Sequence, residues 1–598
     1  MFAARLRLPA LLALLLACFA SRPAFARQTP GQIEIPAGSS APVVHAAEAL
    51  ATDMGWVPSS AVVTSGGGEV QVVVDPSLVA GAQDFELKGT GTPPLLVRAK
   101  TEEGAVNGVH GLRLRLMSAG VTSAPGSFPV AATVAPSLAR RGMMVAPYNF
   151  GGQQDMAGLG TDTWSLEEWK DYVDFLRLLN ANVLEVFPIR MHTPARPETW
   201  MEEARYAIWK DVLNYCHQVG MEFHLVLLLN QAPGDALWDH PALEVQDNEA
   251  WSKTCVNIHA SGAPAQLAAW QQHTYNEFKD ADAFVYMWND GGAADYSPTT
   301  LSNPVGTITT LLNFAQARLN QAGSSARTIF WGWLMEPWYP IFIPGQIPNY
   351  PALGSFYTDA LSTLPTTMEW LQETDRHYAT QGVPATHNPT LEASLAGFQG
   401  VTNFFYQMHP EMSEHMLPRP MLQECVDEVQ YSLANGCDGL TGYRLSPLSR
   451  RLNDFAVLRL CEDASLTRSD LLDELAAYYA RGDAALLPTV RGAIDDLDVG
   501  RPYFGAPLFA QQYFAHLSLQ SLSAPLPAEL VDLRDLVTFT MYATYLKDPG
   551  TTQAMFDAAY PLLQAHVAQA RVLRAFSSQP QFSIEADLEL RAFLDRLP

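Results

Sequence analysis

Apolar residues fall into two alternating patterns through the middle of this chain: short, largely apolar runs, and stripes spaced three or four apart. The run Ala283–Trp288 reads as a strand buried on both faces, and Gly142–Ala146, Asn182–Phe187, Met221–Leu229 and Thr328–Leu334 read as further strands. Helical stripes separate them. Ser165 and Glu168 form a capping-box pattern ahead of Trp169, Tyr172, Leu176 and Leu179, and a helix from Met201 to Val219 stops at Gly220. Further helices are expected over 265–278 and 307–320, and further strands over 366–370, 401–408 and 439–444. Strand–helix alternation of this kind predicts an α/β chain built on a (β/α)8 TIM-like barrel over residues 139–450.

The pattern changes on both sides of that block. Residues 27–138 read as a small N-terminal α/β domain, with a helix from Val43 to Met54 and strands at 69–74, 84–87 and 95–99. A Leu/Arg-rich helix follows, and the Pro/Ser/Ala-rich stretch from Ala124 to Leu138 reads as a linker. Residues 451–598 carry helical stripes at 469–480, 506–522, 527–546 and 552–571. They predict an all-helical C-terminal domain, packed on the barrel or used for a homodimer contact. Residues 1–26 read as a signal peptide: Arg5 and Arg7, the apolar run Leu8–Ala20, then Ala24-Phe25-Ala26. That predicts a secreted or periplasmic protein. Leu15-Leu16-Ala17-Cys18 offers a competing lipobox reading, with a lipid anchor at Cys18 and an outer-membrane lipoprotein as the product.

Length and composition narrow the function. A chain of 598 residues exceeds a single core and calls for several domains. A net charge of -25 argues against nucleic acid as a partner, because its phosphates would be repelled. Beyond Cys18 the cysteines are Cys216, Cys255, Cys425, Cys437 and Cys461, too widely spaced for a disulfide framework or a zinc set. Cys425 and Cys437 could bridge in an oxidising compartment; the alternative is small buried hydrophobes. No phosphate loop or nucleotide fingerprint is present, so neither cofactor nor metal is expected.

In a barrel of this type, chemistry belongs at the C-terminal ends of the strands. That rule selects Glu185 and Arg190 after strand two, Asn230 after three, and Asn289 and Asp290 after four. Strand five contributes Trp331, Trp333, Glu336 and Trp338; strand six Glu369; strand seven His409 and Glu411; strand eight Tyr443 and Arg444. Carboxylates converging with tryptophans suit glycoside hydrolysis, in which one acid protonates the leaving oxygen and a second carboxylate attacks or activates water. Asp290 is the expected acid/base and Glu336 its partner. Glu185, Arg190, Asn289, the three tryptophans, His409, Tyr443 and Arg444 are the expected substrate contacts. Structural alternatives stand beside these roles. Asp290-Gly291-Gly292 could close a strand as a plain turn, the tryptophans could fill a core, and Glu185 inside its strand needs either a buried partner or a site. Arg190 and Arg444 could pair with a substrate carboxylate, which would favour a uronic acid.

Three segments carry a family likeness. Phe278–Gly292 resembles the fourth-strand element of barrel glycoside hydrolases of the family 20 hexosaminidase and α-glucuronidase type. Asp438–Arg444 with Leu452-Asn453-Asp454-Phe455 is similar to their last strand and following helix, and Gly104-Ala105-Val106-Asn107-Gly108 to a helix start in their N-terminal domain. The resemblance implies a carbohydrate substrate and catalytic acids just after strand four. Hexosaminidases carry adjacent Asp-Glu there, whereas this chain has Asn289-Asp290 and so a single acid. A glycoside hydrolase is therefore expected, the alternative being a non-catalytic carbohydrate-binding barrel.

Overall fold

The computed structural model describes residues 31–145, 165–187, 203–230, 240–243, 256–287, 304–331, 368–374, 404–408, 421–434, 436–444, 447–485 and 487–499. The chain divides into two compact units, 1–133 and 134–598.

The first unit is a six-stranded sheet with two main helices. Its strands are β1 (Ile33–Glu34), β2 (Val62–Val63), β3 (Val70–Val74), β4 (Phe85–Gly89), β5 (Leu95–Ala99) and β6 (Val130–Val134), in the order β2-β1-β3-β5-β4-β6. Helix α1 (Ala41–Asp53) and helix α2 (Glu102–Ser118) pack together. Thr101 starts α2 by accepting the Gly104 N–H at 3.1 Å, and Glu102 and Glu103 sit at the positive end of the helix dipole. Gly108 explains part of the Gly-rich pattern. A Cβ there would lie 2.5 Å from Val97 Cγ1, so the helix can approach the sheet only without a side chain at this position. The stretch expected as a linker contains β6. Its Val-Ala-Ala-Thr-Val core alternates as a strand does, but prolines at 129 and 136 hid the signal; β6 is an edge strand, where flanking prolines remove no ladder bond.

The second unit contains eight parallel strands in a closed barrel: β7 (Arg140–Val145), β8 (Val183–Val186), β9 (Glu222–Leu228), β10 (Ala283–Met287), β11 (Arg327–Trp331), β12 (Glu369–Thr374), β13 (Phe404–Met408) and β14 (Gly439–Arg444). Among the described residues, helices α3 (Leu166–Leu178), α4 (Glu203–Val219), α5 (Ala263–Glu277) and α6 (Pro304–Ala322) follow the first four of these strands. Helix α7 (Leu422–Ala434) precedes β14 and helix α8 (Pro447–Glu462) follows it. The sequence signals explain the boundaries. Ser165 and Glu168 form the full capping box of α3, and Trp169, Tyr172, Leu176 and Leu179 are buried as its inner face. Helix α4 ends at Gly220, whose φ of 78° is the left-handed conformation that glycine adopts freely.

Helix α8 ties several elements together, and the domain boundary expected at 450 falls inside it. Asn453 accepts the Met421 N–H at 2.8 Å, and Asp454 accepts the Tyr172 hydroxyl at 2.8 Å. Arg459 pairs with Glu462 and, at 2.7 Å, with Glu474 of helix α9 (Arg468–Ala480). Asn453 and Asp454, part of the family-like segment, thus have structural work as hydrogen-bond acceptors. Helix α9 was expected from 469; helix α10 (Leu487–Val499) was not, because Pro488 and Gly492 weaken its pattern. The expected helices from 506 onward lie outside the described residues. Cys216, Cys425, Cys437 and Cys461 are all buried and none is in a disulfide, so Cys425 and Cys437 form no bridge.

One glycine tests the barrel directly. A Cβ on Gly142 of β7 would lie 2.2 Å from the Val183 carbonyl oxygen and 2.8 Å from Val183 Cβ, both held in the neighbouring strand. Gly142→Ala is expected to destabilise the protein by about 1–3 kcal/mol, as overpacking does, read as a lowered urea midpoint. An unchanged midpoint would mean that β7 and β8 are not packed this closely.

Candidate active site

The strand registers define what fills the barrel. Side chains alternate in and out along each strand, and in a closed parallel barrel four of them, from alternate strands, share each level. At the N-terminal end lie Arg140, Glu222 and Arg327, then Glu369 with Val183 and Ala283, then His224 with Ile329. Glu185, Val285, Leu371 and Thr441 form the next level. Met144, Val226 and Trp331 lie above it, with Phe187 and Met287 beyond.

The lower half of this interior is a charged column. Arg140 donates to Glu369 at 2.5 Å and Arg327 to the same carboxylate at 2.8 Å; Arg327 also pairs with Glu222. Glu222 lies 2.9 Å from His224 Nε2, and Glu185 lies 3.2 Å from His224 Nδ1. Burial favours neutral His224, but the two flanking carboxylates outweigh it and hold the ring's pKa above the ordinary value. Burial likewise opposes the charge on Glu222, yet His224, Arg327 and Arg140 bring its pKa down to about 2. Burial works against Glu369 too, and its two arginines overcome it, so its pKa is lowered. A buried charge must be paired, and here each is.

This geometry relocates one candidate. Glu369 was expected near the C-terminal end of a strand at 366–370, but it is the first residue of β12 and binds Arg140 and Arg327 at the opposite end of the barrel. The polar residues Gln372, Glu373 and Thr374 disguised the true end of the strand. Glu185, proposed as a substrate contact, is fully buried with His224 as its partner. Trp331 is 1% exposed, with Phe187 edge-on at 5.5 Å between ring centroids. Asn230, just beyond β9, is buried and donates to the Val256 carbonyl at 3.1 Å. Tyr443 and Arg444 are the last two residues of β14, in register with Met144 and Val145.

Arg190, Asn289, Asp290, Trp333, Glu336, Trp338, His409 and Glu411 lie outside the described residues. Asn289 and Asp290 follow Met287, the last residue of β10, by two and three positions. His224, Arg140, Glu222 and Arg327 were not singled out from sequence. A signal existed: Arg140, Glu222, Arg327 and Glu369 each open a barrel strand, and His224 interrupts an apolar run.

No protein family model matches the sequence, and no curated protein matches it. Solved structures do. A GH115 4-O-methyl-α-glucuronidase with specificity for decorated arabinogalactans aligns at a TM-score of 0.55 and 11% identity, covering 95% of this chain and 79% of that one. A GH138 enzyme targeting pectin rhamnogalacturonan II aligns at 0.51 and 10%, covering 78% and 68%. A GH20 exo-β-N-acetylglucosaminidase from Vibrio harveyi, in complex with N-acetylglucosamine, aligns at 0.50 and 12%, covering 77% and 74%. At these identities the likeness is one of fold. The chain has a fold similar to that of the GH20, GH115 and GH138 glycoside hydrolases.

Proposed function

We propose that this protein is a glycoside hydrolase acting on an oligosaccharide or glycan, a hexosaminide or uronide, by carboxylate acid/base chemistry. The observation that carries the reading is the position of β10: a fully buried parallel barrel strand ends at Met287 and leads at once into Asn289-Asp290. Asp290 is the general acid/base and Glu336 its partner. Asn289, Arg190, Trp333, Trp338, His409, Tyr443 and Arg444 contact the sugar, with Trp331 and Glu185 beneath them in the barrel. The reading extends the barrel to a complete (β/α)8 unit followed by a helical C-terminal domain, which could serve a homodimer. It places the protein outside the cytoplasm, secreted or periplasmic after cleavage at Ala26, with a Cys18 lipid anchor as the alternative. The fold shared with an α-glucuronidase and an N-acetylglucosaminidase supports both sugar classes. The arginines favour the uronide, since a guanidinium pairs with a carboxylate through two parallel bonds.

One observation favours a second reading. Asn289 stands where hexosaminidases place an acid, so substrate-assisted chemistry lacks its second carboxylate and the barrel could bind glycan without cleaving it. A crystal structure with a bound oligosaccharide tests the location common to both readings. The sugar is expected beyond the C-terminal ends of β10 and β11, within hydrogen-bond reach of Asp290. Sugar found only on the N-terminal unit would sink both.

A further inference from the structure

The middle level of the barrel holds two polar side chains that the reaction does not use. Glu185, Val285, Leu371 and Thr441 are each 0% exposed and share one level of the interior. Glu185 and Thr441 stand on β8 and β14, the strands on either side of β7, and are neighbours within that level. Glu185 uses one oxygen on His224 at 3.2 Å. Its other oxygen, Oε2, and Thr441 Oγ1 are buried without a hydrogen-bond partner. A buried carboxylate oxygen and a buried hydroxyl left unpaired each carry the full cost of losing water, so two at one level point to a shared ligand.

We propose that a single water molecule binds between Glu185 Oε2 and Thr441 Oγ1 inside the barrel. Water can donate to the carboxylate and accept from the hydroxyl together. A cation fits poorly, because His224, held toward its charged form, already sits on Glu185. A sugar or other larger ligand is excluded by the level above, where Met144, Val226 and Trp331 are at most 1% exposed. The water extends the charged column. Glu222, whose side chain is 40% exposed, connects through His224 to Glu185 and so to Thr441, two residues before Tyr443 at the end of β14. Glu185 is thereby a positioning residue for an internal water, rather than a group that touches substrate.

The test is a high-resolution crystal structure of the full chain with its Thr441→Val and Thr441→Ser variants. One ordered peak about 3 Å from both oxygens is expected in the parent and in Thr441→Ser, and its loss in Thr441→Val. A parent structure with no such peak overturns the proposal, as does a direct Glu185–Thr441 hydrogen bond or a peak that persists in the valine variant. If the valine variant does not fold, the parent and serine structures still decide.

Discussion

His224→Ala is expected to cost about 3–5 kcal/mol of folding stability, read as a large drop in the urea denaturation midpoint at pH 6. The ring is fully buried and bridges Glu185 and Glu222. Removing it leaves Glu185 inside the barrel without its partner and opens a cavity where the imidazole stood. The same bridge sets a pH dependence. The folded-state pKa of His224 lies above the ordinary 6.5, so its contribution is complete below about pH 6.5 and is lost as pH rises through the folded value. Arg327 Nη2, 3.3 Å from Nε2, opposes the ring's charge, but Glu222 pairs with both. Glu222 runs the other way. With its pKa lowered from 4.5 to about 2, its contribution holds above pH 4.5 and fades as pH falls toward 2. These two groups together favour the window between pH 4.5 and 6.5. Denaturation midpoints measured across pH should fall on the alkaline side in the parent and lose that slope in His224→Ala. A variant within 1 kcal/mol of the parent, with the slope intact, would show that the bridge contributes little.

The barrel was legible where its strands are apolar throughout. Ala283–Met287 packs on both faces, so its run is unbroken and its start and end were placed to within a residue or two. It was less legible where a strand carries polar residues. The half-polar sequence of β12 drew the expected strand toward 366–370, and with it Glu369 to the wrong end of the barrel. Glu185 shows a different limit. A carboxylate inside a buried strand announces that a partner exists, but that partner lies 39 residues away on the next strand, and only the pairing register brings them together. Local sequence carries no record of that register. The family-like pieces divide in the same way. Gly108, Asn453 and Asp454 are accounted for by close packing and hydrogen bonds, while Asn289-Asp290 carries the functional argument by its place after β10.

That place makes Asp290 the residue whose loss costs most in rate. Asp290→Asn keeps the shape of the side chain but cannot cycle a proton, so turnover should fall by about 10²–10⁴-fold with little change in stability. Glu336→Gln should be comparably impaired if it is the second carboxylate. The most direct measurement is release of the leaving group from a panel of chromogenic hexosaminides and uronides, by the full chain and by Asp290→Asn side by side. A glycoside hydrolase acting through Asp290 gives turnover of at least one sugar class by the parent and its collapse in the variant. Parent protein inactive on every member, or an Asp290→Asn variant with unchanged kcat, would contradict it.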